Sequence, residues 1–412
     1  MMKNMPTLLA PAGSMRPFVT ALRFGADAVY CGAKEYGLRA QANNFDEREL
    51  AQAVELAHAA GAQVNLTLNI FAFDGDLQGM VRTAKAAHEI GVDAAIISDL
   101  GAISRVHREV PGLDIHVSTQ ANATNSETAR IYKSLGASRV VLARELTFEQ
   151  IEAMARELGD EIELETFIHG AICMSHSGRC MLSSFLNSRS ANRGACSQPC
   201  RWTYTLHERT RPEEAMPIEE DARGTAILSS RDMCMMDHLP RLMESGVSCF
   251  KIEGRMKTEI YIATVVGAYR RAMDAYAADP DAYMKNAALR TQLRAELDKI
   301  SHRVYDTGFY FGQPQVCGEA VGVVQNAEYM GFVADVSGGT ALVEMKNRFF
   351  VGDELETVTP KGSEKLIVED IVIDATGEHV GVVNVPNTLV RIPCGDKLEA
   401  GDMLRGPVRN RA

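Results

Sequence analysis

The sequence predicts a TIM-like (β/α)8 barrel with a cysteine-rich insertion before its last strand, followed by a small all-β C-terminal domain. Three observations carry this. Eight short apolar strand candidates, separated by amphipathic segments, fall within roughly the first 255 residues, the size of a (β/α)8 barrel. Four of the nine cysteines crowd into 28 residues between the seventh and eighth candidates. Beyond Pro314 the composition shifts to short Val- and Gly-rich runs.

The strand candidates, in order, begin with Thr7–Ala10 and the run GADAVYCG (Gly25–Gly32). Gln63–Asn69, GVDAAIIS (Gly91–Ser98), Asp114–Gln120 and GASRVVLA (Gly136–Ala143) follow. Glu163–Ile168 and GVSCFKIEG (Gly246–Gly254) complete the set. They are short and near-continuously apolar, as strands covered on both faces should be. Helical patterns occupy Glu47–Ala60, Leu77–Ile90, Ser126–Leu135 and Thr147–Leu158, with Gly61, Gly91 and Gly136 placed to end them. A doubly wound open sheet fits less well, because the count reaches eight and no G-x-G-x-x-G follows the first strand. Residues 169–248 then form an enlarged loop at the C-terminal face, where barrel active sites are built. Residues 255–310 read as helical. Runs such as GFVADVS, TALVEMK and VGVVNV, broken by turn residues, predict a small β-barrel for the rest. The expected domains are 1–314 and 315–412.

Hydrophobic residues make up 46% and charged residues 24%, ordinary for a soluble protein. A net charge of −11 argues against a generally basic nucleic-acid-coating protein but leaves room for a local basic site. The start, MMKNMPTLLAPAG, lacks a long apolar stretch, so no signal peptide is expected, and no run is long enough to span a membrane. An odd cysteine count in a chain this long points away from a disulfide scaffold and towards a reducing cytoplasm.

The four clustered thiols, Cys173, Cys180, Cys196 and Cys200, have the spacing C-x6-C-x15-C-x3-C. Thiolate is the soft donor that zinc and iron–sulfur clusters prefer, so a metal centre is expected. These are not the short knuckle spacings of structural zinc, though zinc also accepts four thiolates. Cys234 is a rival fourth ligand. Cys31, Cys249, Cys317 and Cys394 lie in apolar contexts and are expected in the core. Polar residues sit at the expected C-terminal strand ends: Asn69, Asp99, Gln120, Arg144, His169, Glu253 and Arg255. Glu253 and Arg255 share a strand face, and Lys257 adds a second cation. His169 is placed to move protons or, equally, to pack in the core. No hydrolytic triad motif appears, and Ser177 and Ser183 are nucleophile candidates only by adjacency. Basic and aromatic residues suited to RNA are local: Arg201, Trp202 and Tyr204, Arg270 and Arg271, and Arg405, Arg409 and Arg411.

The run Glu165–Ser184 carries the further pattern E-T-F-I-H-G-A-I-C-M-S-H-S-G-R-C. With LLAPAGS (Leu8–Ser14), GADAVYCG, HVSTQANATN (His116–Asn125), RGACSQPCRW (Arg193–Trp202) and FKIEGRMK (Phe250–Lys257), it resembles the bacterial collagenase-like peptidase family of unassigned catalytic type. Within it the chain is most like the prephenate-dependent tRNA uridine hydroxylase branch. That resemblance implies 5-hydroxylation of a tRNA wobble uridine, the base being extruded into the barrel mouth. It implies a [4Fe–4S] cluster on Cys173, Cys180, Cys196 and Cys200, with Cys234 as the alternative fourth ligand. It also implies prephenate as co-substrate, gripped through its two carboxylates by Arg144 and Arg255, with Gln120 and Lys257 beside them and His169, Glu253 and Arg255 as catalytic candidates. The implied partners are tRNA and prephenate, with no membrane; the electron donor is not identifiable from sequence. Sister branches hydroxylate a ribosomal RNA cytidine or ubiquinone precursors, and some members are named collagenases. A peptidase, or a cluster-bearing accessory factor, is therefore the alternative.

Overall fold

The computed structural model describes residues 5–38, 43–173, 175–202, 230–312 and 324–409. Cys317, Tyr204, Arg411 and the expected domain boundary at 314/315 lie outside the described residues. Strands β1 (Thr7–Pro11), β2 (Ala28–Gly32), β3 (Gln63–Leu68), β4 (Ala94–Ile97), β5 (Asp114–Val117), β6 (Arg139–Val141) and β7 (Glu163–Ala171) pair in sequence order, all parallel. Next in the chain come β8 (Asp232–Cys234) and β9 (Cys249–Ile252). β9 closes the barrel, pairing in parallel with β7 (Glu165 opposite Cys249) and with β1 (Thr7 opposite Cys249). All eight expected strands are therefore present, and they close. The insertion is less loop-like than expected. β7 runs on to Ala171, and β8 pairs antiparallel with that extension, His169 opposite Cys234, while β10 (Tyr305–Asp306) flanks β8.

The connecting helices start where the sequence supplies caps. Asp46 and Glu49 form a capping box for the helix Glu47–Ala59, and Thr147 and Gln150 form one for Phe148–Leu158. Gly91 ends the helix Asp74–Ile90 at φ 101°, a left-handed position that costs a glycine nothing. Outward strand residues such as Leu8, Val29, Leu66 and Ile97 pack under these helices in one large core. The trailing segment is helical as expected, over Glu259–Ala278, Pro280–Lys285 and Ala287–Leu297.

The C-terminal region is all-β with its own core, including Met330, Val343, Phe349, Leu355 and Ile392. Its seven-stranded sheet runs Lys365–Ile367, Glu354–Val358, Met403–Pro407, Ala327–Ser337, Thr340–Met345, Leu389–Pro393 and Val372–Ile373. Among the described residues no ladder joins the two outermost strands, which follow one another in the chain across residues 368–371. Those edge strands are three and two residues long. The region is locked to the barrel. Arg405, 2% exposed, reaches Glu296 of the trailing helices at 2.6 Å and Glu356 at 2.7 Å. Val358 and Met403 join the large core. Among the described residues no helix is long and apolar enough to cross a membrane.

Candidate active site at the barrel mouth

Side chains alternate in and out along each strand, so the lumen is lined by every second residue. A small apolar group, Leu9, Ala28, Tyr30, Ile96 and Cys249, fills part of it. The rest is polar: Asn65 and Thr67 on β3, His116 on β5, Arg139 on β6, Glu165 on β7 and Lys251 on β9, all buried. Lys251 Nζ lies 2.7 Å from Glu165 Oε1, and Arg139 Nη1 lies 3.5 Å from Glu165 Oε2. Burial opposes ionisation of Glu165, but Lys251 and Arg139 outweigh it and hold the carboxyl below its usual value. His116, buried first of all and then facing Arg139, is pushed down to about 3 and stays neutral.

Above this layer opens a cavity of about 210 Å³. Lys251, Phe167 and Tyr30 line it, as do Asn69, Gln120, Arg144, Glu253 and Arg255, which follow the ends of β3, β5, β6 and β9. Arg144 donates to Ala171 O at 2.8 Å, stacks over the Phe167 ring at 3.8 Å and lies 3.5 Å from Glu253. Arg255, 4% exposed, donates to Thr67 Oγ1 at 2.8 Å and Asn44 Oδ1 at 2.6 Å. Asn69 Oδ1 and Gln120 Oε1 are buried acceptors with no partner among the described residues. Each such orphan costs about 1–3 kcal/mol until something donates to it. Asp99 instead caps the helix Leu100–Glu109, accepting from Ala102 N at 2.9 Å.

Cys173, Cys180, Cys196 and Cys200 line the same cavity, all as free thiols. The segment carrying them is pinned to the barrel top. Arg193 pairs with Asp76 at 2.7 Å and donates to Phe71 O, Arg179 Nε donates to Gln120 O at 2.7 Å, and Asn192 donates to Cys180 O at 3.2 Å. Leu182 N and Gln198 N each approach a sulfur, of Cys180 and Cys196, at 3.4 Å. Among the described residues no three Cys, His, Asp or Glu side chains converge on a single ion site. In number and softness the four thiols on this cavity match the donor set of a cubane cluster, which takes one thiolate per iron.

Three expected residues stand elsewhere. His169 does not line the cavity, although simple alternation from Glu165 and Phe167 would put it there. The register slips between Phe167 and His169, so the strand bulges at Ile168 and His169 pairs with outward-facing Ile252. Its ring is 1% exposed, among Tyr261, Tyr269 and Tyr305. Cys234, across the ladder from it, is buried, and burial pushes its thiol up to about 11. It does not face the other four. Lys257 turns away from the cavity, donating to Ser301 O at 3.2 Å and lying over Tyr261. The lumen layer of Lys251, Glu165, Arg139, His116 and Asn65 is the part sequence reasoning missed. The available signal was single polar residues recurring at alternate positions inside otherwise apolar strands.

The placement of His169 has a measurable consequence. Burial holds its folded-state pKa at about 3, whereas an unfolded histidine titrates near ~6.5. The unfolded chain thus binds a proton that the native chain refuses. The stability tied to the neutral ring is complete above about pH 6.5 and drains away as pH falls towards 3. His169→Phe is expected to flatten that part of the Tm-against-pH curve. An unchanged curve would refute the buried neutral assignment.

Comparison with known proteins agrees with this architecture. A family model described as peptidase family U32 matches residues 13–319, and one for the peptidase family U32 C-terminal domain matches residues 325–405. The chain is 35% identical over 406 residues to tRNA hydroxylation protein P1 of Bacillus subtilis (strain 168), covering 97% of this chain and 94% of that one. It is 34% identical over 438 residues to tRNA hydroxylation protein P of Escherichia coli (strain K12), covering 96% and 95%. A protein named collagenase from Porphyromonas gingivalis (strain ATCC BAA-308 / W83) is 34% identical over 316 residues, covering 74% and 73%.

Proposed function

The chain belongs to peptidase family U32, and from that premise we propose that it hydroxylates the wobble uridine of tRNA to 5-hydroxyuridine, with prephenate as co-substrate and a [4Fe–4S] cluster on Cys173, Cys180, Cys196 and Cys200. The observation that carries this reading is the meeting of four thiols with a cation-rich cavity at one barrel mouth. When bound, the cluster supplies one-electron chemistry next to that cavity. Arg144, 3.5 Å from Glu253, and Arg255 line the cavity above Lys251, which Glu165 holds, so two guanidiniums face the space a dicarboxylate such as prephenate would occupy. The guanidinium forks suit carboxylates in particular. The orphan acceptors on Asn69 and Gln120 suit the N3–H of a uracil, whose binding would repay their burial. Arg144, lying over the Phe167 ring at 3.8 Å, offers a guanidinium plane on which a ring extruded from the stack could rest.

The family name raises hydrolysis as the alternative. Ser177 donates to Glu145 at 3.3 Å, and Ser183 shares its hydroxyl with Ser197 and Asn187. Neither hydroxyl meets a histidine base among the described residues, the pairing a serine nucleophile needs. The deciding experiment is nucleoside analysis of tRNA from a strain lacking this protein. Loss of 5-hydroxyuridine, restored by the wild-type chain, is expected. An unchanged nucleoside profile, with gelatin cleaved by the purified protein, would overturn the reading in favour of hydrolysis.

A further inference from the structure

In a chain of net charge −11, residues 171–202 contain four arginines and no aspartate or glutamate. Two of those arginines have no carboxylate partner among the described residues. Arg179 Nε donates to Gln120 O with its guanidinium over the Phe71 ring at 5.4 Å, and Arg189 Nε donates to Ala195 O, so neither charge meets a carboxylate there. Beside them the short helix Leu182–Asn187 presents an apolar face to solvent: Phe185 is 80% exposed, with Met181 and Leu186 also exposed. Met181 directly follows Cys180 of the cavity rim, so this face borders the mouth. An apolar ring open to solvent beside guanidiniums marks an interaction surface that suits an anionic partner. Unpaired arginines interleaved with an open aromatic ring are the equipment of single-stranded nucleic-acid binding: charge for phosphates, a π-face for any base. We infer that this rim docks the single-stranded RNA flanking the base that enters the cavity, Phe185 stacking on a neighbouring base and Arg179 and Arg189 holding phosphates. The inference rests on the RNA-modifying reading and adds the surface that grips the substrate.

The test uses the full-length, cluster-bearing protein and unmodified tRNA, with binding measured across a salt series. Phe185→Ala is expected to weaken binding about 5- to 150-fold at fixed salt, the range for losing one base stack. Phe185→Trp should restore it. Arg179→Gln with Arg189→Gln should reduce the log–log salt slope by about 1–2, one phosphate contact per arginine. Iron content is checked in each variant. Phe185 touches little of the fold, so its variant stays informative even if an arginine change disturbs the cysteine segment. Phe185→Ala binding within twofold of wild type, with cluster intact, overturns the inference and leaves this face to a protein partner. If the wild-type chain does not bind tRNA at all, the inference and the proposed function fall together.

Discussion

Cys173→Ser and Cys180→Ser are each expected to abolish bound iron and acid-labile sulfide. Serine offers a hard oxygen where a cluster needs a soft thiolate. The four cysteines line one cavity although they come from separate parts of a segment built of short helical turns, Cys173 just after β7 and Cys200 in a single 3-10 turn. Packing does not account for that convergence, because the rim is half-exposed and Cys173 is open to solvent. Cys234→Ser should retain iron, since that thiol is buried on the far side of β7, pushed up to about 11 by burial, and unready to act as a thiolate. Iron and sulfide per chain, with the visible absorbance of the protein purified without oxygen, read these three variants and Cys200→Ser beside them. Full iron in both Cys173→Ser and Cys180→Ser would sink the ligand assignment. Loss in Cys234→Ser but not in Cys200→Ser would mean that the set is wrong by one.

The barrel was legible because its signals are local and repeated. Each parallel strand must be apolar on the face beneath the helices, and each helix needs a start and a stop. GADAVYCG and GASRVVLA show both within eight residues. The cysteine cluster was legible for the opposite reason, as a density of soft ligands that a core has no use for. The orientation of His169 was not legible. A bulge adds one residue to one strand and inverts everything beyond it, yet it is set by pairing with β9, some eighty residues away in sequence. The ionic layer was hidden similarly. Glu165 looks like part of a signature and Lys251 like part of a charged cluster; only barrel closure brings them within 2.7 Å.

Arg255→Lys is expected to weaken prephenate binding nearly as much as Arg255→Ala, by about 2–5 kcal/mol, because a lysine cannot reproduce a bidentate fork in a desolvated site. The structure lets stability and binding be separated. The guanidinium already spans Thr67 on β3 and Asn44 before the next helix, and alanine would strand both acceptors at a cost of roughly 1.5–3 kcal/mol. Lysine can keep one of those bonds. Melting temperatures should therefore fall in the order wild type, Arg255→Lys, Arg255→Ala, while prephenate affinity drops alike in both variants. Affinity that merely tracks stability would make Arg255 a strut between strands with no ligand of its own. Gly32→Ala tests the placement of the fork. A Cβ on Gly32 would sit 2.1 Å from Arg255 Nη2, so the guanidinium must move while its charge remains. Moving it breaks the bonds to Thr67 and Asn44, whose Oδ1 would itself lie 2.8 Å from that Cβ, so Tm should fall about as far as in Arg255→Ala. Prephenate, recognised by where the fork points, should bind far more weakly. A Gly32→Ala protein of wild-type affinity, alongside a stable and fully active Arg255→Ala protein, would remove Arg255 from the site altogether.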